Sequence, residues 1–202
     1  MEPMAIVKKL ALEDLGLPTG VFLEFIMHTV GLNWRQRYIS LRQRVEALDE
    51  ALVSERAESM LIAINDEAGI LRLFETAERQ RRALSVASRV WETRQKFSGH
   101  LALMNLHPEG YLDESELSKA VLRVSGGIPG YLLESGRYYH FYGARLLDQE
   151  EWLDFVGRFL MPCTLVSPRY VGHSINRRYC ALRLNSVPPY KPSMPRLISA
   201  FG

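Results

Sequence analysis

The sequence is short of several things at once. Its 202 residues include only 2 cysteines, Cys163 and Cys180. They cannot build a disulfide framework and lack the paired spacing of a zinc finger or ribbon, which implies a reducing compartment. Neither sign of charge dominates: 25 Lys and Arg stand against 23 Asp and Glu, for a net charge of +2. A polyelectrolyte mode of binding is therefore excluded, and any nucleic-acid contact has to come from a local patch. Long apolar runs are missing too. Glu2, Lys8, Lys9, Glu13 and Asp14 interrupt the N-terminus, and Glu24 and His28 break the stretch from Val21 to Val30. Neither a signal h-region nor a membrane span is expected, and the reading is a cytoplasmic protein with no membrane partner. With 47% apolar residues, the chain is still long and apolar enough for one full core.

Proline is absent from Trp34 to Lys96, where Gly69 is the single glycine and Arg, Glu, Ala and Leu are dense. That composition predicts helix. Tyr38, Leu41, Val45, Leu48 and Leu52 form one seam at spacings of three and four, and Asn65, Asp66 and Gly69 offer a break. Ile70, Leu73, Ala77, Leu84, Ala87 and Trp91 then supply the facing seam, so 34–96 reads as a long helical hairpin. Arg79, Arg81, Arg82, Arg89, Arg94 and Lys96 fall outside that seam, interleaved with Glu75, Glu78 and Glu92, which reads as a solvated face, with a phosphate-binding face as the alternative. The two seams carry more apolar surface than they can cover mutually, which predicts docking on the rest of the chain, on a second copy or on a partner protein. Residues 1–33 read as an N-terminal helical segment, with a short helix from Leu17 to Gly31 around Phe22, Phe25, Ile26 and Val30.

The period changes after residue 97. His100 to His107 is β-compatible, with Leu101, Leu103, Asn105 and His107 on one face. Asp113 with Glu116, and Asp148 with Glu151, open amphipathic helices as capping boxes. Between them, Tyr131 to Glu134 and Tyr138 to Tyr142 flank Ser135, Gly136 and Arg137 in hairpin grammar. Thr164 to Val166 and Tyr179 to Leu184 supply further strands. The order is that of a ferredoxin-like, RRM-like split βαβ sheet, so the fold class is α+β, with 97–202 as the sheet domain.

Chemistry concentrates in the hairpin. Ser135, Gly136, Arg137 and His140 put turn amides, a guanidinium and an imidazole within one tight turn, donors suited to a phosphate. On the last strand, Cys180, Leu182 and Leu184 make the core face and leave Arg183 on the open face, toward Asn105, His107 and His140. His100 and His107 lie on opposite faces of their strand and make no ligand pair.

In this order and spacing the C-terminal half resembles the archaeo-eukaryotic primase, or primase-polymerase, superfamily. Leu101-Ala102-Leu103-Met104-Asn105-Leu106-His107 is similar to its acidic hhhDhD strand, and Ser135-Gly136-Arg137-Tyr138-Tyr139-His140 is similar to an extended S-x-H hairpin. Val166-Ser167-Pro168-Arg169, followed by Ala181 to Asn185 and Lys191, resembles the acidic position and basic strand of its third motif. The resemblance implies a palm for nucleotidyl transfer, in which carboxylates of the first and third motifs hold two divalent metals. Here those positions are Asn105, His107 and Ser167, and all the anionic ligands are replaced. The expectation is a degenerate primase-like protein of DNA metabolism, or a scaffold, that binds nucleotide or single-stranded nucleic acid through Ser135, Arg137, His140, Arg183 and Lys191 without making primers. Whether it is an enzyme stays open, and no metal site or cofactor is expected. One alternative is an active nucleotidyltransferase using Mg²⁺ or Mn²⁺ through relocated ligands such as Glu109, Asp113 or Glu134. The other is a helical interaction or dimerisation module through 34–96 with no nucleotide role.

Overall fold

The structure is a computed structural model that describes residues 3–30, 40–49 and 57–202. Helix α1 (Pro3–Lys9) buries Met4, Ile6 and Val7 and widens into a π-helical turn over Leu10–Asp14. Strand β1 (Phe22–His28), helix α2 (Leu41–Glu46), strand β2 (Ala57–Ala63), helix α3 (Glu67–Arg79) and strand β3 (Ala83–Trp91) follow. Beyond residue 97 come β4 (Phe97–Leu106), α4 (Glu114–Val124), β5 (Gly130–Glu134), β6 (Tyr139–Leu147), α5 (Gln149–Leu160), α6 (Pro168–Arg177), β7 (Ala181–Arg183) and β8 (Arg196–Phe201).

Several elements differ from the sequence reading, among them β2 (Ala57–Ala63), a strand where the sequence predicts the first helical arm of 34–96. The expected helix at Leu17 to Gly31 is strand β1. Its apolar residues fill both faces and are buried along Leu23 to Met27, so a helical and a two-sided strand pattern are indistinguishable from spacing alone. The expected second arm of the 34–96 hairpin is α3 for its first half and β3 for its second. Gln80 to Arg82 turn the chain, with Arg81 at φ 52°, and Ala83–Trp91 is an interior strand, paired on both edges and buried along nearly its whole length. Of the first arm, α2 is six residues long, and it buries none of its side chains. Tyr38 and Leu52 lie outside the described residues. No strand forms at Thr164 to Val166. That stretch is irregular, although its Leu165 carbonyl still accepts from His107 N–H at 2.7 Å. Helix α6 and strand β8 were not anticipated.

The strands make one eight-stranded antiparallel sheet in the order β2-β1-β3-β4-β6-β5-β8, with β7 paired to β3. It runs without interruption across residue 97, because β3 pairs with β4. β3 is the axis of the site. One edge takes β1, while the other edge is shared: β4 pairs with its end, Arg89 opposite His100, and β7 with its start, Ser85 opposite Arg183. A short strand is thus wedged where β3 and β4 part.

Packing then separates the two faces. Phe141 of β6 meets Phe155 and Phe159 of α5, with ring centroids 6.5 and 6.3 Å apart, and Trp152 stacks on His100 at 4.6 Å. Helix α3 turns Ile70, Leu73 and Ala77 inward. The Asp113 and Asp148 capping boxes are both formed. Gly130 is required where β5 meets β6, since a Cβ there would lie 2.2 Å from the Tyr142 carbonyl oxygen. Side chains alternate along β4, β6 and β7, so Met104, Phe141 and Leu182 go into the core while Asn105, His140 and Arg183 come together on the opposite face.

Candidate functional site

That face forms the floor of a cleft of about 340 Å³. Ser85 of β3, Asn105 of β4, His140 of β6 and Arg183 of β7 lie along it, and Asn105 and His140 are directly opposed in the β4–β6 register. Ser135, Tyr138 and Lys191 form one side. Helix α6 forms another with Arg169, Tyr170, His173 and Arg177, and β1 with its neighbours adds Ile26, His28, Ala57 and Ala83. No Asp or Glu lines the cleft among the described residues. The nearby Glu24 is engaged elsewhere: it accepts from Arg89 through both oxygens at 2.6 Å and from Ser59.

Arg183 sets the chemistry. It is 9% exposed, and its hydrogen bonds go to uncharged oxygens only: Nη1 to the carbonyls of Asn185 and of Ser193 (2.9 Å), and Nη2 to Ser135 Oγ at 3.1 Å. Burial brings its guanidinium down to about 10, against a smaller opposing effect of the Tyr142 phenol, so it stays charged at neutral pH. One Nη2 hydrogen and the Nε hydrogen have no protein acceptor among the described residues. Lys191 lies over the Tyr138 ring, 5.5 Å from its centroid, and makes no ion pair there. Burial lowers its pKa first, and Arg183 and Arg137 lower it further. Two positive charges therefore share a half-buried space with no carboxylate among the described residues to balance them.

His140 is 3% exposed. Burial first, then Arg183, Lys191 and His107, hold its imidazole down to about 3, so at pH 7 it is a neutral ring. Among the described residues its Nδ1 has no partner, and neither has Asn105 Oδ1 nor the Tyr142 hydroxyl. His107 stacks on Tyr138 with centroids 3.7 Å apart and planes within 12°, and burial lowers it to about 4, with Lys191 adding to the effect.

Of the residues singled out in the sequence, the structure brings Asn105, Ser135, His140, Arg183 and Lys191 to one cleft. Arg137 is exposed in the turn of the β5–β6 hairpin, beside Gly136 at φ 86°, and is not part of the lining. His107 flanks the cleft through Tyr138, and Ser167 is the N-cap of α6, with no capping bond from its side chain. Sequence reasoning missed Ser85, because its strand read as helix. It also missed the α6 wall, for which Ser167-Pro168 was the available signal: a cap residue followed by proline at the first helical position.

A family model described as archaeo-eukaryotic primase 1D-like (AEP-like) matches residues 66–196, well over half of the chain. The chain belongs to the archaeo-eukaryotic primase-like family. The match begins at the cap of α3 and so takes in α3 and β3, which lie upstream of the C-terminal half that carries the motifs. No curated protein and no solved structure matches it. The two divalent ions that a primase palm implies find a poor donor set here. Mg²⁺ requires hard, preferably anionic oxygen. The first-motif positions offer an amide and an imidazole beside two cations, and among the described residues no three His, Cys, Asp or Glu side chains converge. Of the relocated acids, Glu134 is paired with Arg196 at 2.7 Å and Asp113 caps α4.

Proposed function

We propose that this primase-like protein binds the phosphate groups of a nucleotide or of single-stranded nucleic acid in the β3–β4–β6–β7 cleft and does not synthesise primers. The observation that carries this reading is the buried Arg183 guanidinium, which has free donors and no anionic partner among the described residues. Arginine is seldom buried without a counter-charge, because removing a charge from water is costly unless an opposite charge offsets it. A phosphate supplies that charge, and its geometry suits a guanidinium fork. Lys191 adds a second cation, and the neutral His140 adds a hydrogen bond without a third charge to repel the others. The loss of carboxylate at Asn105, His107 and Ser167 removes the groups that would hold metal for in-line transfer. What survives of a polymerase palm is then its grip on phosphate.

The test is a titration of nucleoside triphosphate and of short single-stranded DNA into wild type, Arg183→Lys and Lys191→Met, alongside a primer-synthesis assay with Mg²⁺ and with Mn²⁺. Arg183→Lys keeps the charge and loses the fork, and is expected to weaken binding on the order of tenfold. Lys191→Met removes the ammonium and keeps an apolar stem over the Tyr138 ring, and is expected to weaken it by a similar factor. Binding falls with added salt. Isotherms indistinguishable among the three proteins would refute the site, and template-dependent product above a His140→Ala control would refute the loss of synthesis.

A further inference from the structure

We infer that the cleft takes its polyphosphate as the metal-free anion, so that Mg²⁺ competes with the protein for the ligand instead of bridging the two. The inference rests on the phosphate-binding reading above and specifies the form of the ligand. In a metal-bridged nucleotide site, the protein meets the ion with carboxylates, and the ion meets the phosphates. Here the corresponding floor positions carry Asn105 beside His140, with Arg183 and Lys191 close enough to lower the His140 pKa by their charge. A divalent cation placed there would face fixed positive charge and, from the first motif, only a neutral amide and a neutral imidazole. The same fixed charge suits an uncomplexed triphosphate. Arg183 presents Nη2 and Nε hydrogens that have no protein acceptor among the described residues, and Lys191 an ammonium over the Tyr138 ring that has no carboxylate partner among them, where a metal would otherwise screen the phosphate oxygens. Complexation by Mg²⁺ removes two units of negative charge from the ligand and occupies oxygens that the guanidinium would use. The two cationic side chains stand in for the metal's charge, and the metal becomes redundant.

The experiment is calorimetric titration of ATP and of inorganic tripolyphosphate into the full chain, in EDTA and in excess MgCl₂ at matched ionic strength. Binding is expected to be tighter in EDTA, on the order of tenfold for both ligands. Equal or tighter binding in MgCl₂ would overturn the inference while leaving phosphate binding intact, whereas no binding in either medium would overturn the phosphate reading itself. The double variant Asn105→Asp, His107→Asp puts one carboxylate on the floor and one at its flank beside Tyr138, and is expected to reverse the sign, so that Mg²⁺ strengthens binding. If that variant does not fold, the thermal shift of wild type by ATP, with and without MgCl₂, decides the matter alone: a larger shift in MgCl₂ contradicts the inference.

Discussion

A single hydroxyl links a polar chain inside the protein. Ser88 Oγ accepts from the Cys180 amide at 3.2 Å and lies 3.0 Å from His100 Nδ1, while His100 Nε2 lies 3.4 Å from Gln149 Oε1. The Gln149 oxygen can only accept, so the proton sits on Nε2, and Nδ1 accepts from Ser88. Burial holds this imidazole down to about 4, which keeps it neutral between Ser88 and the Trp152 ring. Ser88→Ala strands an amide and a ring nitrogen in the core and is expected to cost about 1–3 kcal/mol by urea unfolding. Nucleotide binding should not change, because Ser88 is not part of the cleft lining. A loss below about 0.5 kcal/mol would show that the chain contributes nothing beyond packing. None of this was visible in the sequence, where Ser88 and His100 are separate residues of no marked pattern. By contrast, Arg183 was legible, because the alternation of Cys180, Leu182 and Leu184 against Arg183 on one short strand assigns its face from apolar character alone.

At the scale of elements, capping and alternation were readable and the helix-strand choice was not. Asp113 and Asp148 start helices where the sequence placed them, since a capping box is a local bond between residues three apart. β1 and β3 read as helix because a strand buried on both faces loses its period of two, and only the neighbouring strands make the extended form favourable. The seam that suggested a long helix is the clearest correction. Leu41 and Val45 on α2 and Leu48 just beyond it are 76%, 56% and 51% exposed. Leu41→Glu and Leu48→Glu are accordingly expected to leave the unfolding free energy of the isolated chain within about 0.5 kcal/mol of wild type. Thermal melts check this, and a loss several times larger would mean that these side chains are covered in solution.

Across the whole molecule, buried neutral histidines couple the fold to pH. His100 and His107 are held down to about 4 and His140 to about 3, in each case mainly by burial, against an ordinary value of 6.5. Below pH 6.5 the unfolded chain takes up protons that the folded chain does not, so stability rises with pH through that window. This contribution is complete above about pH 6.5 and is lost as the pH falls toward 4. The unfolding midpoint is expected to fall steadily between pH 7 and pH 5 at constant ionic strength, and a midpoint flat across that interval would show that these rings are charged in the fold.

What the sequence determined by itself is local and chemical: the capped helices, the β5–β6 hairpin with its Ser135-to-His140 donors, the basic strand, and uncharged side chains at Asn105, His107 and Ser167. These depend on residues a few positions apart, whose bonds and periodicities are short-range. Tertiary structure alone decided that 83–91 is a strand, that β7 is wedged against it beside β4, and that α6 walls the cleft with Arg169 and Arg177. It also decided that Arg183 has no acid beside it among the described residues. Burial and partnership are properties of what the rest of the chain brings near a side chain. Pairing Ser85 with Arg183 closes nearly a hundred residues of chain, a contact whose entropy is repaid only by the assembled core.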